Sequence, residues 1–339
     1  MQFQLPIQIK SPDTRVNYRD KILLTGSCFT EHIGSSLSEL KFSVLQNPNG
    51  ILFDPRSVSN SLLSYIENKQ YKKEELFSLN EVWNSWEHHS RFSNINADEC
   101  LRIINKSQRQ AHDFLKASDW LIITLGSSFS YRLTSEFSRV SQPSGGGDLE
   151  GAGVANCHRA PSQWFNKHLL SIDETISLLD TAYHRLKQFN AKLKIIFTIS
   201  PVRHIRDGVI ENNRSKARLI EAVHHLINKF PGLYYFPAYE LVIDVLRDYR
   251  FYDIDMVHPN YAATEFVMEK FRENFIDDES QQLMEEIKKI VIARKHKPFQ
   301  AETNAHKAFL KTHFEKAKEL QAKHSFLDLN DEIVYFTTP

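Results

Sequence analysis

Gly26-Ser27-Cys28-Phe29-Thr30 sets a thiol just after a glycine, between a short apolar run and a helical pattern. A glycine permits a sharp bend there. A side chain at the start of the following helix sits where backbone N–H groups lower a thiol's pKa and stabilise a developing oxyanion. The plain alternative is that Cys28 is a small buried apolar residue. The second cluster, Asp255-Met256-Val257-His258-Pro259, puts an imidazole three residues after a carboxylate, ahead of a helix expected near Asn260. An Asp that accepts from one ring nitrogen turns the other toward a nucleophile, which is the logic of catalytic triads. Asp253 competes for that role, and a helix-capping Asp beside a surface His is the non-catalytic alternative.

Four weaker clusters accompany these. Ser200-Pro201-Val202-Arg203-His204 closes an apolar run, where Arg203 either positions an anionic substrate group or supports the fold. Asn156-Cys157-His158-Arg159 joins a second thiol to an imidazole, but no further CxxC or HxxxH supplies the remaining ligands of a metal site. His88-His89 is equally sparse, so no metal is expected. Ser215-Lys216, at the head of a helical pattern, either binds an anion or places Lys216 on solvated surface. Neither GxxxxGK[ST] nor GxGxxG occurs, which leaves nucleotide chemistry unsupported and no organic cofactor expected.

The elements that must position these groups are legible as short apolar runs. Lys21–Thr25, Trp120–Leu125, Leu193–Ile199 and the weaker Leu233–Phe236 read as buried strands. Helical patterns at Phe29–Leu40, Cys100–Lys116, Ile172–Phe189, Asn213–Phe230 and Tyr261–Phe275 separate them. Such alternation predicts an α/β fold with a mostly parallel sheet, ligands binding beyond the strand C-termini. A Ser/Gly-rich insertion over 137–156, with Ser144-Gly145-Gly146-Gly147, reads as an exposed loop near the site mouth. Beyond Asp277, Lys, Glu, His and Ala dominate through Lys323. That composition predicts a helical extension over 278–339 after a domain over 1–277, serving as an appendage or a surface for a protein partner or self-association.

Bulk composition narrows the function classes. The 339 residues are 41% hydrophobic and 25% charged, as in ordinary globular proteins. Lys+Arg and Asp+Glu balance at 42 each, so no net field favours nucleic acid or an anionic membrane. The apolar runs are too short to span a bilayer, and MQFQLPIQIK lacks the pattern of a secretory signal. Three scattered cysteines, Cys28, Cys100 and Cys157, suggest no disulfide scaffold, and a cytoplasmic location is expected.

With these residues assembled, the sequence resembles the GSCFA-domain family, which is itself similar to SGNH/GDSL hydrolases. The carriers are GSCFTEHIG at 26–34, NPNGILFDP at 47–55, TLGSSFSYR at 124–132, VANCHR at 154–159, SPVRH at 200–204, FPAYE at 236–240, RDYRFY at 247–252 and DMVHP at 255–259. The resemblance implies a flavodoxin-like three-layer α/β/α sandwich of the SGNH-hydrolase kind. It sets Cys28 at the nucleophile and Ser27 before it, with Ser27 as nucleophile in an alternative register. Asp255 and His258 complete the triad. Gly50 stands at the backbone oxyanion donor, and Gly126-Ser127-Ser128 at the third block, with Ser128 in place of Asn. Asn49 or Asn156 would substitute for that missing amide, and Arg203, His204 and His158 would line the substrate side. The activity implied is ester or thioester hydrolysis or acyl transfer, on a small-molecule or O-acylated carbohydrate substrate. The rival classes are an inactive binding module and a Cys28–Cys157 redox site.

Overall fold

The structure, a computed structural model, describes residues 5–136 and 151–337. Most of the Ser/Gly-rich insertion, including Ser144–Gly147, therefore lies outside the described residues. The chain begins with β1 (Lys21–Gly26), α1 (Cys28–Glu39), β2 (Ser43–Gln46) and α2 (Pro55–Glu67). A hairpin of β3 (Leu76–Leu79) and β4 (Val82–Ser85) precedes α3 (Ala97–Ala117) and β5 (Trp120–Leu125). Three strands then form a small antiparallel sheet: β6 (Phe129–Leu133), β7 (Gly153–Val154) and β8 (Phe165–Leu169). Next come α4 (Ile172–Phe189), β9 (Lys194–Ile199), α5 (Gly208–Lys229) and β10 (Leu233–Phe236). A short π-helical turn, Leu241–Leu246, leads to α6 (Tyr261–Phe275), α7 (Asp278–Lys295), α8 (Asn304–Lys323) and α9 (Asn330–Thr337).

The central sheet is β2-β1-β5-β9-β10, and all its pairings are parallel. Numbered among themselves these strands run 2-1-3-4-5, the flavodoxin-like order, whose crevice opens between the first and third strands at their carboxyl ends. β1, β5 and β9 are apolar without alternation because helices cover both faces. Ile22, Leu24, Trp120, Ile122, Ile196 and Phe236 pack toward α1 and α6. The intervening Leu23, Leu121, Ile123, Ile195 and Phe197 pack toward α2, α4 and α5. Successive strand side chains thus supply opposite layers of the three-layer sandwich.

The C-terminal helices extend the first of these layers. Leu283, Met284, Ile287, Leu310, Leu320 and Phe336 join the cluster that holds Phe271 and Phe275. Buried Glu332 on α9 anchors them, 2.8 Å from both Lys41 and Arg294. Their apolar faces therefore turn inward onto the domain. Among the described residues no helix is long and apolar enough to cross a membrane.

Candidate active site

β1 ends on Gly26, whose φ of 142° lies outside the range most side chains adopt. A Cβ there would enter the Thr124 main chain of β5, so only glycine lets the two strands stay this close where the chain turns. The turn is fixed by Ser27 N–H donating to Thr124 O at 3.0 Å and by Asn47 Oδ1 accepting Gly26 N–H at 2.9 Å. α1 starts at Cys28 directly over the β1–β5 crevice. Half-buried, the thiol is pushed up by desolvation, against which the N–H groups of Phe29 and Cys28 and the charge of Lys216 pull it down. Ser27 is buried, and its Oγ has no hydrogen-bond partner.

The distant pair reaches the same edge of the sheet. Asp255 Oδ1 accepts the N–H groups of Val257 and His258, and Oδ2 lies 2.7 Å from His258 Nδ1. These bonds, led by that from the His258 N–H, hold the Asp255 carboxyl down to about 2. Asp253, the rival partner, meets His258 through the main chain only, its N–H donating to His258 O. The turn is tied to the end of β9 because Arg203 N–H donates to Val257 O and its Nη1 to Met256 O. Arg203 also stacks 4.1 Å from the centroid of Tyr252. Of its two expected roles, supporting the fold is the one its contacts display. His258 lies within electrostatic reach of His204 and of His32, one turn along α1 from Cys28.

His204 connects the two halves. Its ring packs against Phe53 and above Gly126, where an added Cβ would come 3.2 Å from Nε2 and 3.3 Å from Ser27 Cβ. Burial first, then Lys216, lower its pKa to about 4, so it is a neutral imidazole near neutral pH.

Several expected donors are committed elsewhere. Gly50 N–H donates to Asn47 O at 2.7 Å, closing a turn. Ser128 is fully buried; its N–H and hydroxyl bond Ser215. Both were expected to stabilise an oxyanion; a local turn has taken the hydrogen of Gly50, and Ser215 of α5 those of Ser128. Gly126 N–H likewise goes to Phe53 O. Asn49 Nδ2 donates to Glu87 O, while Asn156 Oδ1 accepts from His158 N–H. His158 itself faces the β3–β4 hairpin, with Nε2 2.8 Å from Ser85 O and its ring edge-on to Phe77 and Trp86. All three cysteines are free, and burial raises the Cys157 thiol to about 11.

Lys216 corrects the reading of its segment. It lies inside α5 rather than at its head, is 1% exposed, and is no solvated lysine. Nζ donates to Gly126 O and Ser200 O at 2.6 Å each, bridging the ends of β5 and β9. Desolvation lowers its amine to about 7, and Cys28 is the group whose charge opposes the shift. The signal lay in its spacing: Asn212, Ser215, Lys216, Leu219, Val223 and Leu226 form one buried helical stripe.

Among the described residues no group of three His, Cys, Asp or Glu is arranged to hold a metal ion. The model of the GSCFA family matches residues 21–271, from β1 through most of α6. The chain belongs to the GSCFA family. A second model, the GSCFA domain protein C-terminal domain, matches residues 287–338 and covers most of α7 through α9. No curated protein matches the sequence. In this GSCFA protein the motif at 26–30 forms the turn between β1 and α1, at the switch point of the sheet.

Proposed function

We propose that this GSCFA protein is an acyl-group hydrolase or acyltransferase in which Cys28 is the nucleophile. One observation carries the reading: a thiol at a helix N-terminus and a carboxylate-oriented imidazole lie at the same carboxyl edge of a flavodoxin-like sheet. In the resting site Asp255 fixes the proton of His258 on Nδ1, leaving Nε2 to act as base. Nε2 takes the proton of the Cys28 thiol, the resulting thiolate attacks the substrate carbonyl, and the oxyanion is met by N–H groups in the first turn of α1. His258 donates a proton to the leaving oxygen or sulfur as the carbonyl re-forms. It then takes one from water or an acceptor hydroxyl, which releases the acyl group and restores the thiolate. The resemblance to SGNH hydrolases supports O-acylated carbohydrate or a small ester as substrate, by analogy of fold.

Gly50 and Ser128, both with their hydrogens engaged, favour a second reading as a binding module without turnover. Hydrolysis of p-nitrophenyl acetate and of an acyl thioester by the parent, Cys28→Ala and His258→Ala separates the two. The acyl-transfer reading expects turnover that both substitutions abolish. Equal rates in all three proteins, or no turnover in the parent, would leave the binding module.

A further inference from the structure

We propose that Lys216 is the buried cation that stabilises the Cys28 thiolate as it forms, an inference that deepens the acyl-transfer reading and rests on it for its catalytic meaning. α5 carries Lys216 up from its packed layer against the sheet, and its Nζ lies between the carbonyls of Gly126 and Ser200, the first residues past β5 and β9. One of those carbonyls belongs to Gly126, the residue that abuts Ser27. Through Gly126 the amine thus reaches the carboxyl end of the sheet beside the Ser27–Cys28 turn. Lys216 also stands 5.8 Å from the ring centroid of Tyr239, a face that favours a cation.

An ammonium this deep is strongly disfavoured without an anion near it. Its salt-bridge partner is not a carboxylate among the described residues, and the two carbonyls supply only dipoles. Cys28, once ionised, supplies that anion. The pair shares one proton: either a thiol faces a neutral amine, or a thiolate faces an ammonium, and net charge is the same. Burial favours the first arrangement at rest, while the strand-end carbonyls on the nitrogen side and the N–H groups of Cys28 and Phe29 on the sulfur side ease passage to the second. The remaining charged or titratable neighbours are Glu31 on α1, His204 after β9 and Tyr239 after β10. With Lys216 in this role the thiolate that forms as His258 takes the proton meets a fixed positive charge.

Alkylation of the full chain by iodoacetamide across pH, with Cys28 followed by peptide mass, reads the thiolate directly and needs no substrate. In Lys216→Met the Cys28 profile is expected to move up by about one pH unit or more, roughly a tenfold slower reaction at neutral pH. Cys157 should be unaffected. An unchanged Cys28 profile overturns the inference. Should Lys216→Met fail to fold, the reciprocal measurement uses Cys28→Ala and ¹³C-lysine NMR. Because coupling between two titrating groups acts both ways, the Lys216 amine should then titrate at lower pH than in the parent. The same midpoint in both proteins overturns the pairing. A shifted alkylation profile without ester or thioester turnover would sink the acyl-transfer reading and leave the ion pair standing. Turnover with an unshifted profile would do the reverse.

Discussion

Asp255 grips His258 with both carboxylate oxygens, Oδ2 on the ring nitrogen Nδ1 at 2.7 Å and Oδ1 on the main-chain N–H at 3.0 Å. One side chain therefore sets the imidazole's tautomer and the turn that aims it. In Asp255→Asn the amide oxygen can keep the main-chain bonds, but its NH₂ would face Nδ1 and force the proton onto Nε2. Loss of kcat on the order of a hundredfold or more is expected with the thermal midpoint nearly unchanged, since a carboxylate-to-amide swap in a triad disables the base without unfolding the site. Comparison of kcat with the melting curve checks it. A variant with parental kcat would remove Asp255 from the mechanism.

Two glycines flanking the thiol should respond differently to one methyl group. At Gly26 the methyl would enter the Thr124 carbonyl and amide of the neighbouring strand, which cannot move apart without breaking the sheet. At Gly34 it would meet the side chain of Gln46, which is free to swing away. Gly26→Ala is expected to cost about 3 kcal/mol or more and Gly34→Ala about 1 kcal/mol or less, by the overpacking and helix-propensity scales. Urea denaturation of both variants tests the ranking.

His88 gives stability a pH dependence. Its Nδ1 lies 2.9 Å from Ser85 Oγ, the ring is buried between Tyr71 and Phe92, and burial lowers its pKa to about 3. The unfolded chain takes up this proton near pH 6.5 and the folded one near 3. The contribution is thus complete above about pH 6.5 and declines as pH falls toward 3. His88→Asn keeps a polar atom near Ser85 and removes the titration. The stability difference between parent and variant should therefore shrink from pH 7 to pH 4 in parallel urea titrations. A constant difference would mean that His88 is not buried as a neutral ring.

Glu332 should decide whether the C-terminal helices stay docked. Burial disfavours its carboxylate, but Lys41 and Arg294 outweigh that and keep its pKa below the ordinary glutamate range. Glu332→Ala leaves two cations without their shared partner, one of them largely shielded from water. A loss of about 2–3 kcal/mol is expected, below the figure for a fully buried pair because Arg294 is partly exposed. Limited proteolysis should cut within 278–337 faster in the variant.

Strands buried on both faces announced themselves through unbroken apolar runs, and α4 and α6 were legible to the residue from their stripes. β2 was not, because Ser43–Gln46 is short, lies at the sheet edge and stays half exposed. α2 was missed for another reason. Its buried face is built largely of Ser57, Ser59, Ser61 and Ser64, and Ser61 and Ser64 bond carbonyls three residues back within the helix. A pattern search for hydrocarbon passes over such a face. In the site, the thiol and the Asp–His pair could be read as local motifs. The commitments of Gly50 and Ser128 could not, since they depend on turns and on Ser215, far away along the chain.

Lys41 and Glu332 meet across almost the entire polypeptide, and Asp277 N–H reaches back to Val16 O. During synthesis the aromatic pair Phe271 and Phe275 would emerge well before α7–α9 can shield it, leaving a sticky surface on the nascent protein. Contacts so distant in sequence also slow the search for the native state. Dilution from urea should accordingly need low protein concentration, or a chaperone, to recover folded product in good yield.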